Sequence, residues 1–145
     1  MATITCTQVF AVAPEVVWEE LRQISRHVLW MHDAVSITFR GDQREGIGTS
    51  FLCVTKVGPL VTQDQMVITE WVTNEVMGVE HRGLIRGSGR FLLKPHFSGS
   101  ELTWREDLRF PWWLAGQLGS FVAAPVLRAI WRSNLRALAA IVAKD

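Results

Sequence analysis

Apolar and polar residues alternate with a period of two along most of this 145-residue chain, and helical spacing replaces that alternation in two places. The alternation predicts a first strand over 3–10. Ala13-Pro14-Glu15 then opens a helix, because proline suits its first turn and glutamate its positive end. Val17, Leu21 and Ile24 give that helix an apolar stripe with Trp18 beside it, and a second short helical turn is expected over 26–31. Six more period-two segments follow, over 35–40, 49–57, 60–72, 75–82, 90–97 and 102–110. Turn signals separate them: Gly41-Asp42, Gly46-Ile47-Gly48, Gly58-Pro59, Thr73-Asn74, a loop holding Gly83, Gly87 and Gly89, and Ser98-Gly99-Ser100.

The stretch from Phe110 to Leu127 carries no charge and is bounded by Arg109 and Arg128. Its length approaches that of a bilayer span. Gln117, Ser120, two glycines and two prolines make it poor material for a lone span, and it runs into a helix with a polar face. It is therefore expected to end the last strand, turn at Pro111-Trp112-Trp113 and begin a helix that divides at Pro125. Beyond Pro125, Leu127, Ile130, Trp131, Leu135, Leu138, Ile141 and Val142 form an apolar stripe. Arg128, Arg132 and Arg136 form a row away from it, which serves as a solvated face or touches an anionic membrane surface. Before Pro125 the residues Gly116, Gly119, Ser120, Ala123 and Ala124 are small. Small residues over a curved sheet leave volume, and unused volume costs about 24 cal/mol per Å³.

Strands joined by short turns must be antiparallel neighbours. Seven of them, with two short helices early and one long helix late, make an α+β fold in a single domain covering 1–145. The sheet must curl, and the long helix covers its concave face. At this length one domain buries roughly 70% of its unfolded surface, and there is no internal repeat or linker.

Four features carry a family resemblance. Pro14, Glu15, Val17 and Trp18 open the first helix; Trp30 closes the second; a Gly-Ser hairpin precedes Leu102-Thr103-Trp104; and a long helix ends the chain. Over nearly its whole length the chain resembles the helix-grip superfamily (SRPBCC) of StAR-related lipid-transfer domains, and within it the polyketide cyclase/dehydrase type. The resemblance implies a seven-stranded antiparallel sheet gripping a C-terminal helix around a cavity. It implies no catalytic motif, because the family shares a cavity and not a reaction.

Composition narrows the partners. Fifteen basic and fourteen acidic residues are well mixed, which leaves no electrostatic case for nucleic acid. Seven Trp and seven Phe without a Tyr mean a bulky core or an aromatic-lined cavity. Cys6 and Cys53 lie in apolar strand contexts, and 1–10 lacks a leader pattern, so a cytoplasmic protein with reduced thiols is expected. No stable membrane insertion is expected, and the chain is expected as a monomer or a homodimer.

The strand over 102–110 has the sharpest pattern. Thr103, Arg105, Asp107 and Arg109 share one face, while Leu102, Trp104, Leu108 and Phe110 share the other with Glu106. A carboxylate on that covered side is paired, sits near a watered cavity mouth, or is protonated. It is either satisfied by a neighbouring Arg or backbone group, or it serves a ligand or an acid/base step. His81 ends the apolar row of Met77 and Val79, as a rim residue or a base; together Glu106 and His81 are the candidate catalytic pair. Phe91, Leu93 and Phe97 are expected on one face. Val67 and Trp71 alternate against Met66 and Ile68, with Trp71 favoured inward. The expected ligand contacts are Trp30, Trp71, Met77, Phe91, Trp104, Leu108, Leu118, Phe121 and Ala124.

No metal site is expected: His27 and His32 lie five apart without a completing carboxylate motif. No nucleophile elbow, phosphate loop or dinucleotide fingerprint occurs, and no cofactor is expected. Three functions remain. The favoured one is binding of a hydrophobic, ring-containing small molecule or lipid. The others are a polyketide cyclase or dehydratase using Glu106 and His81, and an interaction protein like the family's coenzyme-Q-binding members.

Overall fold

The computed structural model describes residues 2–110, the backbone of 116–123, and residues 124–144. Alternation becomes strand throughout. β1 (Ala2–Phe10) leads through α1 (Pro14–Leu21) and a 3-10 helix (Ile24–Leu29) into β2 (Ala34–Arg40). Then come β3 (Ser50–Val57), β4 (Leu60–Val72), β5 (Val76–Arg82), β6 (Arg86–His96), β7 (Gly99–Arg109) and α2 (Gly116–Val142). Consecutive hairpins carry the sheet from β2 to β7, and β1 closes onto β7, so the order is β1-β7-β6-β5-β4-β3-β2, all antiparallel. The result is the expected α+β arrangement, a seven-stranded curved sheet with a C-terminal helix and two short helices between its first two strands.

The core lies on one face of this sheet. Ile4, Cys6 and Phe10 of β1 and Leu102, Trp104 and Leu108 of β7 are buried there. Pro14 begins α1, which buries Val17, Trp18 and Leu21. From α2, Trp131, Leu135, Leu138 and Val142 are buried. Each such side chain contributes about 1.5–3 kcal/mol when removed from water. Asn134 interrupts the stripe. It is fully buried, donates from Nδ2 to Asp33 Oδ1 at 2.8 Å, and accepts from the His32 amide at 2.9 Å. α2 is thus fastened to the segment before β2 by a polar clamp as well as by its apolar face.

Four expectations need correction. β6 starts at Arg86, so Gly87 and Gly89 lie within a strand and not in a loop. The β4–β5 register shifts between Ile68 and Glu70, and this bulge turns Trp71 to the side of Met66 and Ile68. Trp71 therefore faces inward, opposite Met77, but the two rows of β4 do not oppose each other as simple alternation implies. Phe97 follows the end of β6 and is almost wholly exposed, resting on His96 at 4.3 Å between ring centres. α2 continues through Pro125 without dividing, although that residue supplies no N–H to the helix ladder. Among the described residues no helix is long and apolar enough to cross a membrane. The turn expected at 111–113 lies outside the described residues.

Candidate functional site

Between the inner face of the sheet and α2 lies a cavity of about 130 Å³. Phe51, Met66, Ile68, Met77, Phe91, Trp104 and Leu108 give it apolar walls from β3 to β7, and Leu127 and Trp131 cover it from α2. Trp104 stacks on Trp131 with ring centres 4.7 Å apart and planes 12° apart, joining β7 to the helix. Phe91 meets Trp104 at 5.1 Å, and Trp30 stands behind both at 6.0 and 6.1 Å.

One end of the cavity is polar. His81 Nε2 stands 3.0 Å from Glu106 Oε2, while Trp104 Nε1 donates to Glu106 Oε1 at 3.3 Å. The carboxylate oxygen lies off the axis of the imidazole N–H, which makes the contact an ion pair and not an aligned hydrogen bond. The two residues belong to β5 and β7, strands separated by the whole width of β6, roughly 10 Å between backbones. The register explains how they meet. Gly87 lies opposite both His81 and Leu108, and Gly89 lies opposite both Val79 and Glu106. A methyl group on Gly89 would collide with the Glu106 carboxylate. The Gly-Ser-Gly run leaves β6 bare where the two side chains cross it.

Burial alone would lower the His81 pKa. The adjacent Glu106 carboxylate, reinforced by Asp64, outweighs it and holds the imidazole above its usual value. Asp64 leans over Gly83 as Glu106 leans over Gly89. Burial holds its carboxyl above the ordinary carboxylate range, against His81 and the Ile85 and Leu84 amides. Thr62 Oγ1 is 3.5 Å from Oδ2, but Oδ1 receives no well-formed hydrogen bond. His27, also on the wall, donates from Nε2 to the Leu21 carbonyl at 2.7 Å. Burial pushes its pKa down to about 4, so its ring is neutral. The Cys53 thiol on the wall is pushed up to about 11, first by burial, with Asp33, Asp64 and Glu106 adding to it against Thr55.

The candidate pair Glu106 and His81 therefore stands together at the cavity, and Met77, Phe91, Trp104 and Leu108 line it. Trp30 and Trp71 do not: Trp30 is fully buried behind the wall, and Trp71 packs edge-on against Trp18 of α1 at 5.2 Å. Ala124 is half-buried against the core and away from the lining. The side chains of Leu118 and Phe121 lie outside the described residues. Sequence reasoning missed Asp64, His27 and Cys53 as wall residues. Asp64 was visible in principle, since Thr62, Asp64, Met66 and Ile68 form one alternate row. Among the described residues no three His, Cys, Asp or Glu side chains group as metal ligands.

No protein-family model matches the chain, and no curated protein matches it in sequence. Solved structures do match. The Thermus thermophilus protein TTHA0849 shares 14% identity, with a TM-score of 0.85 over 98% of this chain and 97% of that one. StfQ, a di-domain aromatase/cyclase from the steffimycin biosynthetic pathway, shares 14% identity at a TM-score of 0.81; the match covers 99% of this chain and 51% of StfQ. The ZhuI aromatase/cyclase of Streptomyces sp. R1128 shares 14% identity at 0.70, over 98% of this chain and 93% of ZhuI. At such identity the likeness establishes a fold in common with aromatase/cyclase proteins.

Proposed function

We propose that this protein binds a hydrophobic, ring-containing small molecule between its sheet and α2. The cavity of about 130 Å³ walled by Phe91, Trp104 and Trp131 carries this reading. Its volume is close to the ~150 Å³ of an engineered apolar cavity that accepts benzene. A site of that size suits one ring, held by apolar walls and oriented by a few polar groups. A titration of the full chain with one-ring aromatics tests it, read by tryptophan fluorescence, since Trp104 and Trp131 border the space. Saturable quenching is expected, and Met77→Phe, which fills the cavity, should weaken it at least about tenfold. Absence of quenching across the series, with the chain folded, would refute the reading.

The His81–Glu106 pair favours a second reading, acid/base chemistry on the bound ring, as in a polyketide cyclase or dehydratase. His81, whose pKa the neighbouring carboxylate raises against burial, would give a proton to a carbonyl or leaving hydroxyl, and Glu106 would accept one. Incubation with short poly-ketone thioesters tests this. Turnover that Glu106→Gln abolishes, with ligand affinity changed only a few fold, supports it; turnover unchanged by Glu106→Gln or His81→Gln excludes it.

A further inference from the structure

We infer that the outer face of the sheet carries a site for a multiply charged oxyanion, the phosphate or diphosphate group of a small molecule. This site is separate from the ring-binding cavity and does not depend on it. In the antiparallel register Arg82 of β5 lies opposite Arg86 of β6, and Arg86 lies opposite Arg109 of β7. Neighbouring strands run about 4.8 Å apart, so three arginines share one rung of the sheet. All three are exposed, and they line a single groove of about 580 Å³. Like charges directly opposite each other destabilise a sheet, so a rung of three calls for compensating negative charge.

The protein's own acids supply little of that charge. Glu80 and Asp107 line the groove from the next rung, with Ser88 between them. Glu80 is engaged by Arg82 at 3.1 Å. Asp107 accepts from Thr3 Oγ1 at 2.6 Å and faces Arg105 at 3.5 Å. Arg86 and Arg109 pair with no carboxylate among the described residues. The segment that follows Arg109 cannot supply one, because no Asp or Glu occurs between Asp107 and Asp145. Gly87 borders the same groove, and a methyl group there would strike the Asp107 carbonyl, so the place beside Arg86 stays bare. An arginine fork holds a phosphate through two parallel N–H···O bonds, and neighbouring forks on Arg86 and Arg109 suit a group with several charged oxygens. A singly charged carboxylate would leave one guanidinium unmatched.

Calorimetry on the full chain at neutral pH and low salt tests the site, with inorganic pyrophosphate, inorganic phosphate and acetate as probes. Both phosphates are expected to saturate at one per chain and to bind at least about tenfold more tightly than acetate. Arg86→Gln and Arg109→Gln should each weaken pyrophosphate at least about tenfold. Arg136→Gln, which removes an exposed charge from α2, should change it by less than about twofold. All three positions are exposed, so the variants should keep urea midpoints near that of the wild type, and the affinities then compare folded proteins. No aromatic ligand enters this titration, so its failure would leave the cavity reading untouched. The site is refuted if neither phosphate saturates, or if acetate binds as tightly as pyrophosphate. Unchanged binding in both Arg86→Gln and Arg109→Gln also overturns it, as does an equal loss in Arg136→Gln, because attraction would then follow overall charge and not this rung.

Discussion

The His81 imidazole meets the Glu106 carboxylate at 3.0 Å across an intervening strand, over Gly87 and Gly89 of β6. This contact depends on missing side chains as much as on the two present. Alanine in place of a strand glycine ordinarily stabilises by about 0.5–1 kcal/mol. Gly89→Ala should do the reverse, because its methyl group displaces the Glu106 carboxylate. We expect a loss of about 1–3 kcal/mol in urea unfolding, together with a fall in the His81 pKa followed by NMR. A stabilised variant with an unchanged His81 titration would mean that the strand tolerates the methyl group and that the pair does not need the gap.

Glu106→Gln isolates the electrostatic part. The folded-state pKa of His81 is raised, with the Glu106 carboxylate chief among the groups that overcome burial. A raised base contributes stability that is complete below its unfolded value, about 6.5, and is lost as pH climbs through the folded value. Wild-type protein should therefore lose this increment above about pH 6.5, and Glu106→Gln should have none to lose. Parallel stability curves for the two proteins across neutral pH would show that the pair contributes nothing to folding.

His27 works in the opposite sense. Its pKa is lowered to about 4 by burial, and its Nε2 must carry the proton because a carbonyl can only accept. Between the unfolded value near 6.5 and about 4 the unfolded chain binds the extra proton, so stability falls on acidification, by about 3 kcal/mol in all. His27→Gln keeps a donor for Leu21 and does not titrate. Its stability should change much less than the wild type's between pH 6.5 and 4, as measured by urea midpoints at each pH.

Much of this arrangement is legible in the chain because it depends on parity. Alternation places Glu106 on the covered face, puts His81 at the end of the Met77 row, and marks out the seven strands. What parity cannot show is distance across strands. Gly87 and Gly89 look like turn residues until the carboxylate lying over Gly89 is known, and so β6 begins earlier than its turn signals suggest. The bulge after Ile68 has the same effect on β4: one extra residue reverses the row, and Trp71 ends inward beside Trp18 and not in the cavity. Trp30 is readable as buried but not as second in line, since aromatic residues fill cores and line cavities with the same pattern. Asp64 needs the β5–β6 turn beside it, a contact that no local spacing reveals.

Asn134 offers the clearest separation of polar from apolar docking. It sits in the stripe of Trp131, Leu135 and Leu138, where an apolar residue would continue the pattern, and it is fully buried. If α2 is held by its stripe alone, Asn134→Leu should be neutral or stabilising. The structure argues otherwise, because leucine strands the Asp33 carboxylate and the His32 amide, at about 1–3 kcal/mol for each group left unpaired. Asn134→Asp distinguishes lost hydrogen bonding from lost shape. Its volume is almost the same and it can still accept from His32, but at neutral pH it sets a second carboxylate against Asp33. Its deficit relative to wild type should therefore be at least as large as that of Asn134→Leu although its shape is kept. Equal stability of Asn134→Leu and wild type in chemical unfolding would assign the seating of α2 to its apolar face alone.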